Sequence, residues 1–99
     1  MSLPIVIVPA AEADLVEAMA WYEANYPGLS FDLRLSLDAT FDHIARYPAS
    51  CAKVSPTIRR ALLRRFPHAV YYRQKPGAVE VVAILHMHRH PRVWQSRNH

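Results

Sequence analysis

The sequence predicts an α+β domain in which an N-terminal strand and a helical hairpin pack on a twisted, mainly antiparallel sheet. In the first half, apolar residues recur at spacings of three and four, which is typical of amphipathic helices. After Pro48 the pattern changes to β-branched and aromatic runs divided by turn signals, which indicates strands. Because 99 residues leave room for one core, residues 1–99 are predicted to form a single domain.

The first element is the apolar run from Ile5 to Val8, which lies between Pro4 and Pro9. Four consecutive apolar residues predict a strand that is buried on both faces. After Pro9, apolar residues recur at the three- and four-residue spacing of a helix, which predicts an amphipathic helix. Its apolar stripe consists of Ala11, Leu15, Ala18, Met19, Tyr22 and Tyr26.

A turn at Pro27 and Gly28 separates this helix from a second one. Ser30 is predicted to be the N-cap, because a serine hydroxyl can accept a hydrogen bond from a free amide of the first turn. The second apolar stripe consists of Leu33, Leu37, Phe41, Ile44 and Tyr47. Pro48 ends this helix, so residues 10–47 are predicted to form a helical hairpin.

The run "IRRALLRR" then predicts a strand. Neighbouring side chains on a strand point to opposite faces. Arg59 and Arg60 are therefore expected on opposite faces of the sheet. The same is expected of Arg64 and Arg65.

After a bend, a further strand carries Tyr71 and Tyr72, of which one is expected in the core and the other exposed. The turn signal at residues 75–77 predicts a hairpin. The longest apolar run, residues 78–89, is predicted to be a central strand. Pro91 is expected to open a short helical turn at the C-terminus.

Charge is distributed very unevenly along the chain. The net charge is +4, but in residues 1–50 seven acids and two bases give −5, and in residues 51–99 ten bases and one acid give +9. This asymmetry predicts an anionic partner for the C-terminal half. No apolar run is long enough for a membrane helix, and the single Cys51 excludes an internal disulfide, so we expect a cytoplasmic protein.

Several pieces of the chain, in this order, carry a family resemblance: "AEADLVEAMAWYEANYPGLSFDL", "RRALLRRFPHAVYYR" and "VEVVAILHMHRHPRVW". In order and spacing they resemble the RelE/ParE superfamily of bacterial toxin–antitoxin modules, closer to the ParE, or plasmid stabilisation, side. The resemblance implies a helical hairpin on a twisted antiparallel sheet. It also implies a toxin that a cognate antitoxin neutralises. ParE-type members poison DNA gyrase, whereas RelE-type members cut messenger RNA on the ribosome.

Cleavage of RNA by a ribose 2′-hydroxyl requires a proton acceptor, a proton donor and cations near the phosphate. The resemblance to RelE-type nucleases implies His86 or His88 at the strand end for proton transfer. The same resemblance implies that Arg60 or Arg65 holds the phosphate. The alternation along the last strand predicts one shared face for Glu80, Val82, Ile84, His86 and His88. Glu80 is nevertheless expected roughly 20 Å from His86, which is too far for both to act at the same phosphate. The missing acid favours a toxin that acts by binding.

Three alternating histidines, His86, His88 and His90, also raise the question of a metal site. Zinc sites need three or four ligands with supporting hydrogen bonds, and Arg89 and Arg92 would repel the ion. We therefore expect neither a metal nor a cofactor.

Contacts with a partner or target are predicted at Arg59, Arg60, Arg65, Arg73, Arg89, Arg92 and Trp94. Trp94 either anchors the tail on the sheet or contacts the partner directly. The expected partners are an antitoxin with an acidic, amphipathic tail, in a toxin–antitoxin hetero-oligomer, and DNA gyrase as the target. Two alternatives stay open: a ribosome-dependent mRNA endoribonuclease, and a degenerate module that only binds its antitoxin. No membrane partner is expected.

Overall fold

A computed structural model of the chain describes residues 2–97. Its elements in chain order are β1 (Ile5–Ile7), α1 (Pro9–Asn25), α2 (Leu29–Arg46), β2 (Arg59–Leu62), β3 (His68–Lys75), β4 (Ala78–His86) and α3 (Arg92–Gln95). The strands form one sheet in the order β1-β4-β3-β2, in which β1 runs parallel to β4 and the other pairs are antiparallel. The predicted α+β architecture, the helical hairpin and the central position of β4 are confirmed.

Strand β1 lies at the edge of the sheet and pairs with β4 only from Ile5 opposite Val79 to Ile7 opposite Val81. The side chain of Val6 points away from the helices, and the residue is 49% exposed. The prediction that β1 is buried on both faces is therefore wrong, because the helical hairpin covers one face and nothing described covers the other at this edge.

The hairpin buries the two predicted stripes against the sheet. The buried residues of these stripes are Ala11, Leu15 and Tyr22 on α1, and Leu33, Leu37 and Ile44 on α2. The last residue of each stripe is exposed, Tyr26 by 56% and Tyr47 by 59%, because each follows the final helical turn.

The N-terminus of α2 differs from the prediction. Gly28 is the N-cap, with a φ of 90° that a glycine adopts without strain. Ser30 lies inside the helix, and its hydroxyl donates a hydrogen bond to Glu23 on α1 at 2.5 Å. The prediction of Ser30 as the cap is therefore wrong, since the turn is made by the glycine and the serine joins the two helices instead.

Strand β2 is shorter than predicted. It ends at Leu62, and the amide of Leu63 donates to the carbonyl of His68 at 3.0 Å, which closes the turn into β3. Arg64 and Arg65 lie in this turn, where Arg65 has a φ of 70°. The expectation that these two arginines alternate on a strand is wrong because the chain must already reverse there.

Strand β4 contains an extra residue at Val82. Tyr71 pairs with Ala83, whereas the next residue, Tyr72, pairs with Val81. This β-bulge moves the residues that follow it to the other face. Glu80 therefore lies on the opposite face from His86, and the prediction that they share one face is wrong.

Both faces of the sheet are covered. Tyr72 belongs to the core beneath the helices, and its hydroxyl donates to the carbonyl of Pro48 at 2.8 Å. Tyr71 lies on the second face and stacks on Trp94, with ring centroids 5.4 Å apart and planes 17° from parallel. A second cluster forms there, made of Ile58, Ala69, Tyr71, Val82, Ala83, Leu85 and Trp94. Both tyrosines are buried, so the prediction that one is exposed is wrong.

An ion pair fastens the C-terminal tail to this framework. The guanidinium of Arg97 makes two hydrogen bonds to the carboxylate of Asp14 on α1, one of them between Nη2 and Oδ1 at 3.1 Å. Asp14 also accepts the amide of Ile84 at 3.0 Å, and Arg97 donates to the carbonyl of Val82 at 3.3 Å. The pair therefore satisfies backbone groups of β4 beyond the point where β1 ends. We call it the tail latch.

Within residues 2–97, no helix combines the length and the apolar character needed to cross a membrane.

Candidate functional site

The predicted site residues lie on separate surfaces. The first is a groove of about 790 Å³ between α2 and the β2 edge, which we call the arginine groove. It is lined by Asp32, Leu35, Ser36, Ala39, Thr40, His43, Cys51, Ala52, Arg60, Ala61, Leu62, Arg64, Arg65 and Phe66. The second, the histidine pocket, has a volume of about 360 Å³ and lies at the end of β4. It is lined by Asp14, Glu17, Ala18, Trp21, Tyr22, Pro67, His68, Ile84, Leu85, His86 and Arg89.

The arginine groove brings together two predicted residues, Arg60 and Arg65, and adds Arg64. Arg60 comes from strand β2, and the other two come from the turn that follows it. Among residues 2–97, no ion pair involves any of these three arginines. These three arginines therefore have no ion-pair partner within residues 2–97, and Asp32 is the one carboxylate among the residues that line the groove.

The histidine pocket brings together His86, Arg89 and a residue not predicted from the sequence, His68. His68 pairs with His86 across strands, with ring centroids 5.3 Å apart. His88 lies just past the strand end, 5.1 Å from the ring of His86, and its amide donates to Nδ1 of His86 at 3.0 Å. The predicted proximity of His86 and His88 is thus present, although His88 lies in a turn and not on the strand.

His68 is only 7% exposed, and its Nδ1 has no hydrogen-bond partner among the described residues. Burial, and then the nearby His86, lower the pKa of His68. The fold therefore disfavours the protonated form of this ring. Counting strand partners back from the 75–77 turn could have located this pair in the sequence, but the bulge shifts the register by one residue.

This burial predicts a pH-dependent stability. Below the ordinary histidine pKa of about 6.5, His68 is protonated in the unfolded chain more readily than in the folded protein, because the fold lowers its pKa. The free energy of unfolding is therefore highest above that pH and decreases as the pH falls toward the lowered pKa of the folded state. His68→Leu is expected to flatten this decline in urea unfolding between about pH 5 and pH 8. His43→Gln, on α2, is the control and should keep the wild-type slope; an unchanged slope in His68→Leu would contradict the prediction.

The acid that appeared to be missing from the basic half is supplied by α1. Glu17 lines the histidine pocket together with His86 and Arg89. Glu80 lies elsewhere, paired with Arg73 at 2.6 Å. Sequence reasoning overlooked Glu17 because it considered only acids close to the histidines along the chain. An acid, a histidine and an arginine around one pocket can in principle donate a proton, accept one and hold a phosphate.

Arg60 and Arg65, the arginines predicted to hold the phosphate, do not line the histidine pocket. Arg60 points to the sheet face opposite His86, since Arg60 pairs with Tyr71 and His86 pairs with His68. Arg65 lines the arginine groove instead. The two sets of residues proposed for one nuclease site therefore line different surfaces.

The other predicted contacts have structural partners. Arg59 donates from Nη1 to the carbonyl of Cys51 at 2.7 Å. Arg73 and Glu80 form a partly buried pair, with side chains 17% and 22% exposed. Trp94 is 6% exposed, so of the two roles left open for it the structure favours the anchor of the tail.

Arg89 and Arg92 are exposed. Their use by a partner stays a prediction. The same holds for the other site residues.

A serine–histidine pair near the end of α2 has the distance of a catalytic dyad but not the proton arrangement. Nε2 of His43 lies 3.0 Å from Oγ of Ser50. The Ser50 hydroxyl donates its proton to the carbonyl of Tyr47 at 2.7 Å, so His43 must act as the donor. This pair closes the helix end and does not activate a nucleophile.

Within the described chain, no group of three or more potential ligands is placed to hold a metal ion.

The order of elements and the sheet topology are those expected of RelE/ParE toxins, in a small basic protein. Over residues 5–91 the sequence matches the family described as ParE toxin of type II toxin-antitoxin system, parDE. The chain belongs to this ParE toxin family.

Solved structures with similar folds support the architecture. One, from the chromosomal ParDE TA system of P. aeruginosa, has a TM-score of 0.73 and 17% sequence identity, and the match covers 84% of this chain and 94% of that chain. At that identity the likeness shows the fold alone. A search of curated protein sequences found no match.

Proposed function

We propose that this protein is a cytoplasmic growth-inhibiting toxin that binds and poisons DNA gyrase. The observation that carries the proposal is the match to the ParE toxin family over residues 5–91. The geometry supports action by binding, because the free arginines and the histidines occupy different surfaces instead of one assembled cleavage site. A cognate antitoxin neutralises the toxin by forming a hetero-oligomer with it.

The proposal predicts that the double variant His86→Ala/His88→Ala keeps most of its toxicity. General acid–base groups typically contribute about 10²–10⁴-fold to a rate, so a nuclease would lose far more than a binding protein. Expression of the wild type should induce a DNA-damage response, and the purified protein should trap cleaved gyrase–DNA complexes. Messenger RNA should stay intact during the first minutes.

A second candidate, a ribosome-dependent mRNA endoribonuclease, is favoured by one observation: Glu17, His86 and Arg89 line the same pocket. In that case expression produces cuts at fixed codon positions in ribosome-bound messenger RNA. Glu17→Gln and His86→Ala each abolish these cuts, while circular dichroism shows the native fold. That result would replace gyrase poisoning as the proposed activity. If neither activity is found but an antitoxin still binds, the protein is a degenerate binding module.

A further inference from the structure

A third concave surface lies at the end of the sheet where β2 begins and β3 finishes, and it has a volume of about 610 Å³. Four cations line it, Lys53, Arg59, Arg73 and Lys75, together with the amide side chain of Gln74. Among residues 2–97, no carboxylate lines this surface. We call it the cationic cleft.

The strand register explains why these cations converge. Arg59 is the first residue of β2 and pairs with Tyr72, so no described strand pairs with residues 73–75 of β3 on that side. Lys53 is brought alongside by an isolated bridge to Arg59. Arg73 and Lys75 are two positions apart on β3 and therefore point to the same side, with Cα atoms roughly 7 Å apart.

Ion pairs leave most of the charge of the cleft unbalanced. The exception is Arg73, which is held by Glu80 at 2.6 Å. In the part of the chain that the structure describes, no ion pair involves the other three cations, Lys53, Arg59 and Lys75. Arg59 is fixed in place by its hydrogen bond to a backbone carbonyl, and both lysines are exposed. The cleft therefore favours an anionic ligand.

The composition of the lining favours a nucleic acid over a protein as that ligand. Protein interfaces bury an apolar centre, but none of the exposed large hydrophobic residues within residues 2–97 lines the cleft. Pro56 is the one apolar residue among the described residues that line it. Lysine, arginine and glutamine, in contrast, are residue types that contact phosphate oxygens.

The form of the nucleic acid follows from the same lining. Single strands are typically held by bases that stack on aromatic rings, and no aromatic residue of the described chain lines the cleft. A duplex instead presents its phosphates outward and needs only cations and hydrogen-bond donors. The lining therefore suits the backbone of a duplex.

We propose that the cationic cleft binds the phosphate backbone of duplex DNA through Lys53, Arg59 and Lys75, without reading the bases. This inference goes beyond the proposed function, which requires a contact with gyrase but none with DNA.

The test is the binding of a fluorescently labelled duplex of about 20 base pairs to the full chain, measured by anisotropy between about 50 and 200 mM salt. Each neutralised phosphate contributes roughly −0.9 to the slope of log K against log salt concentration. Three contacts therefore predict a slope of about −2.7 and a roughly 40-fold loss of affinity across this range.

Lys53→Gln/Lys75→Gln removes two of the three unbalanced charges. It should make the slope shallower by about 1.8 and weaken binding at least about tenfold at the lowest salt concentration. Arg34→Gln/Arg64→Gln is the matched control, because it removes the same two charges from α2 and from the turn after β2, and it should keep the wild-type slope. Circular dichroism of each variant shows whether the fold is retained.

The inference fails if the cleft and control variants weaken DNA binding equally, because the net charge of the chain and not the cleft would then attract the duplex. It also fails if a single-stranded DNA of the same length binds more tightly than the duplex. Displacement of the duplex by an equal or lower concentration of a polyglutamate peptide of the same charge would indicate an acidic protein as the ligand and would overturn it as well.

Gyrase cleavage assays on the same proteins distinguish this inference from the proposed function. Trapped cleavage complexes from a protein that does not bind duplex DNA by itself would leave gyrase poisoning standing and overturn the inference. Binding of duplex DNA that depends on Lys53 and Lys75, without trapped complexes, would leave the inference standing and overturn gyrase poisoning.

Discussion

Replacing Asp14 with alanine is expected to lower the free energy of unfolding by about 3 kcal/mol, a large share of the 5–15 kcal/mol typical of a domain. The change leaves the Arg97 guanidinium without its carboxylate and the Ile84 amide without its acceptor. The Asp14 and Arg97 side chains are 10% and 23% exposed, so water compensates for only part of the loss. Urea unfolding measures the effect, and the melting temperature should fall by about 4–8 °C per kcal/mol.

Two variants control this experiment. Asp38→Ala breaks a pair whose side chains are 53% and 56% exposed, and should change stability by less than about 0.5 kcal/mol. Asp14→Ala/Arg97→Met removes both charges of the tail latch and should be more stable than Asp14→Ala alone, because no partly buried cation is left unpaired. If Asp14→Ala is as stable as Asp38→Ala, the latch does not hold the tail in solution.

Replacing Trp94 with alanine should also destabilise the protein by about 3 kcal/mol, within the range for truncating a buried aromatic residue. The indole stacks on Tyr71 and covers the second face of the sheet, next to Ile58 and Leu85. Its loss should expose this cluster, which binding of the dye ANS would report. Trp94→Phe retains a ring for the stack and should lose less stability.

Arg92→Ala is the matched control for Trp94→Ala, because Arg92 is exposed on the same short helix. It should leave unfolding unchanged within about 0.5 kcal/mol. Equal stability of Trp94→Ala and Arg92→Ala would show that α3 does not cover the sheet. These results also bear on a truncation of the chain after Arg89, which removes both Trp94 and Arg97. If the truncated protein loses toxicity, the cause can be loss of stability as well as loss of a contact with the target.

The sequence alone determined the order of elements, the helical hairpin and the central position of β4. These features depend on local periodicity: the stripe from Leu33 to Ile44 predicts a buried helix face wherever that helix lies. The ordered motifs likewise pointed to the ParE family, and the charge difference between the two halves indicated an anionic partner. Each of these conclusions depends on the spacing of residues that are close along the chain, on the order of the motifs, or on the total charge of a long segment.

Element ends were less predictable, for physical reasons visible at particular residues. A strand pattern continues through Arg64 and Arg65, but chain reversal at Leu63 ends β2 first. The alternation along β4 breaks at Val82, and no sequence signal marks that bulge. One extra residue was enough to place Glu80 and His86 on opposite faces.

Only the tertiary structure decided which distant residues meet. Asp14 and Arg97 are 83 positions apart, and their ion pair depends on how α1, β4 and the tail pack together. Glu17 enters the histidine pocket in the same way, from a helix in the acidic half. Periodicity specifies which face of an element is buried, but not which residue of another element lies opposite. The covered second face of the sheet, the tail latch and the arginine groove were therefore determined by packing, because they are built from residues that only the folded chain brings together.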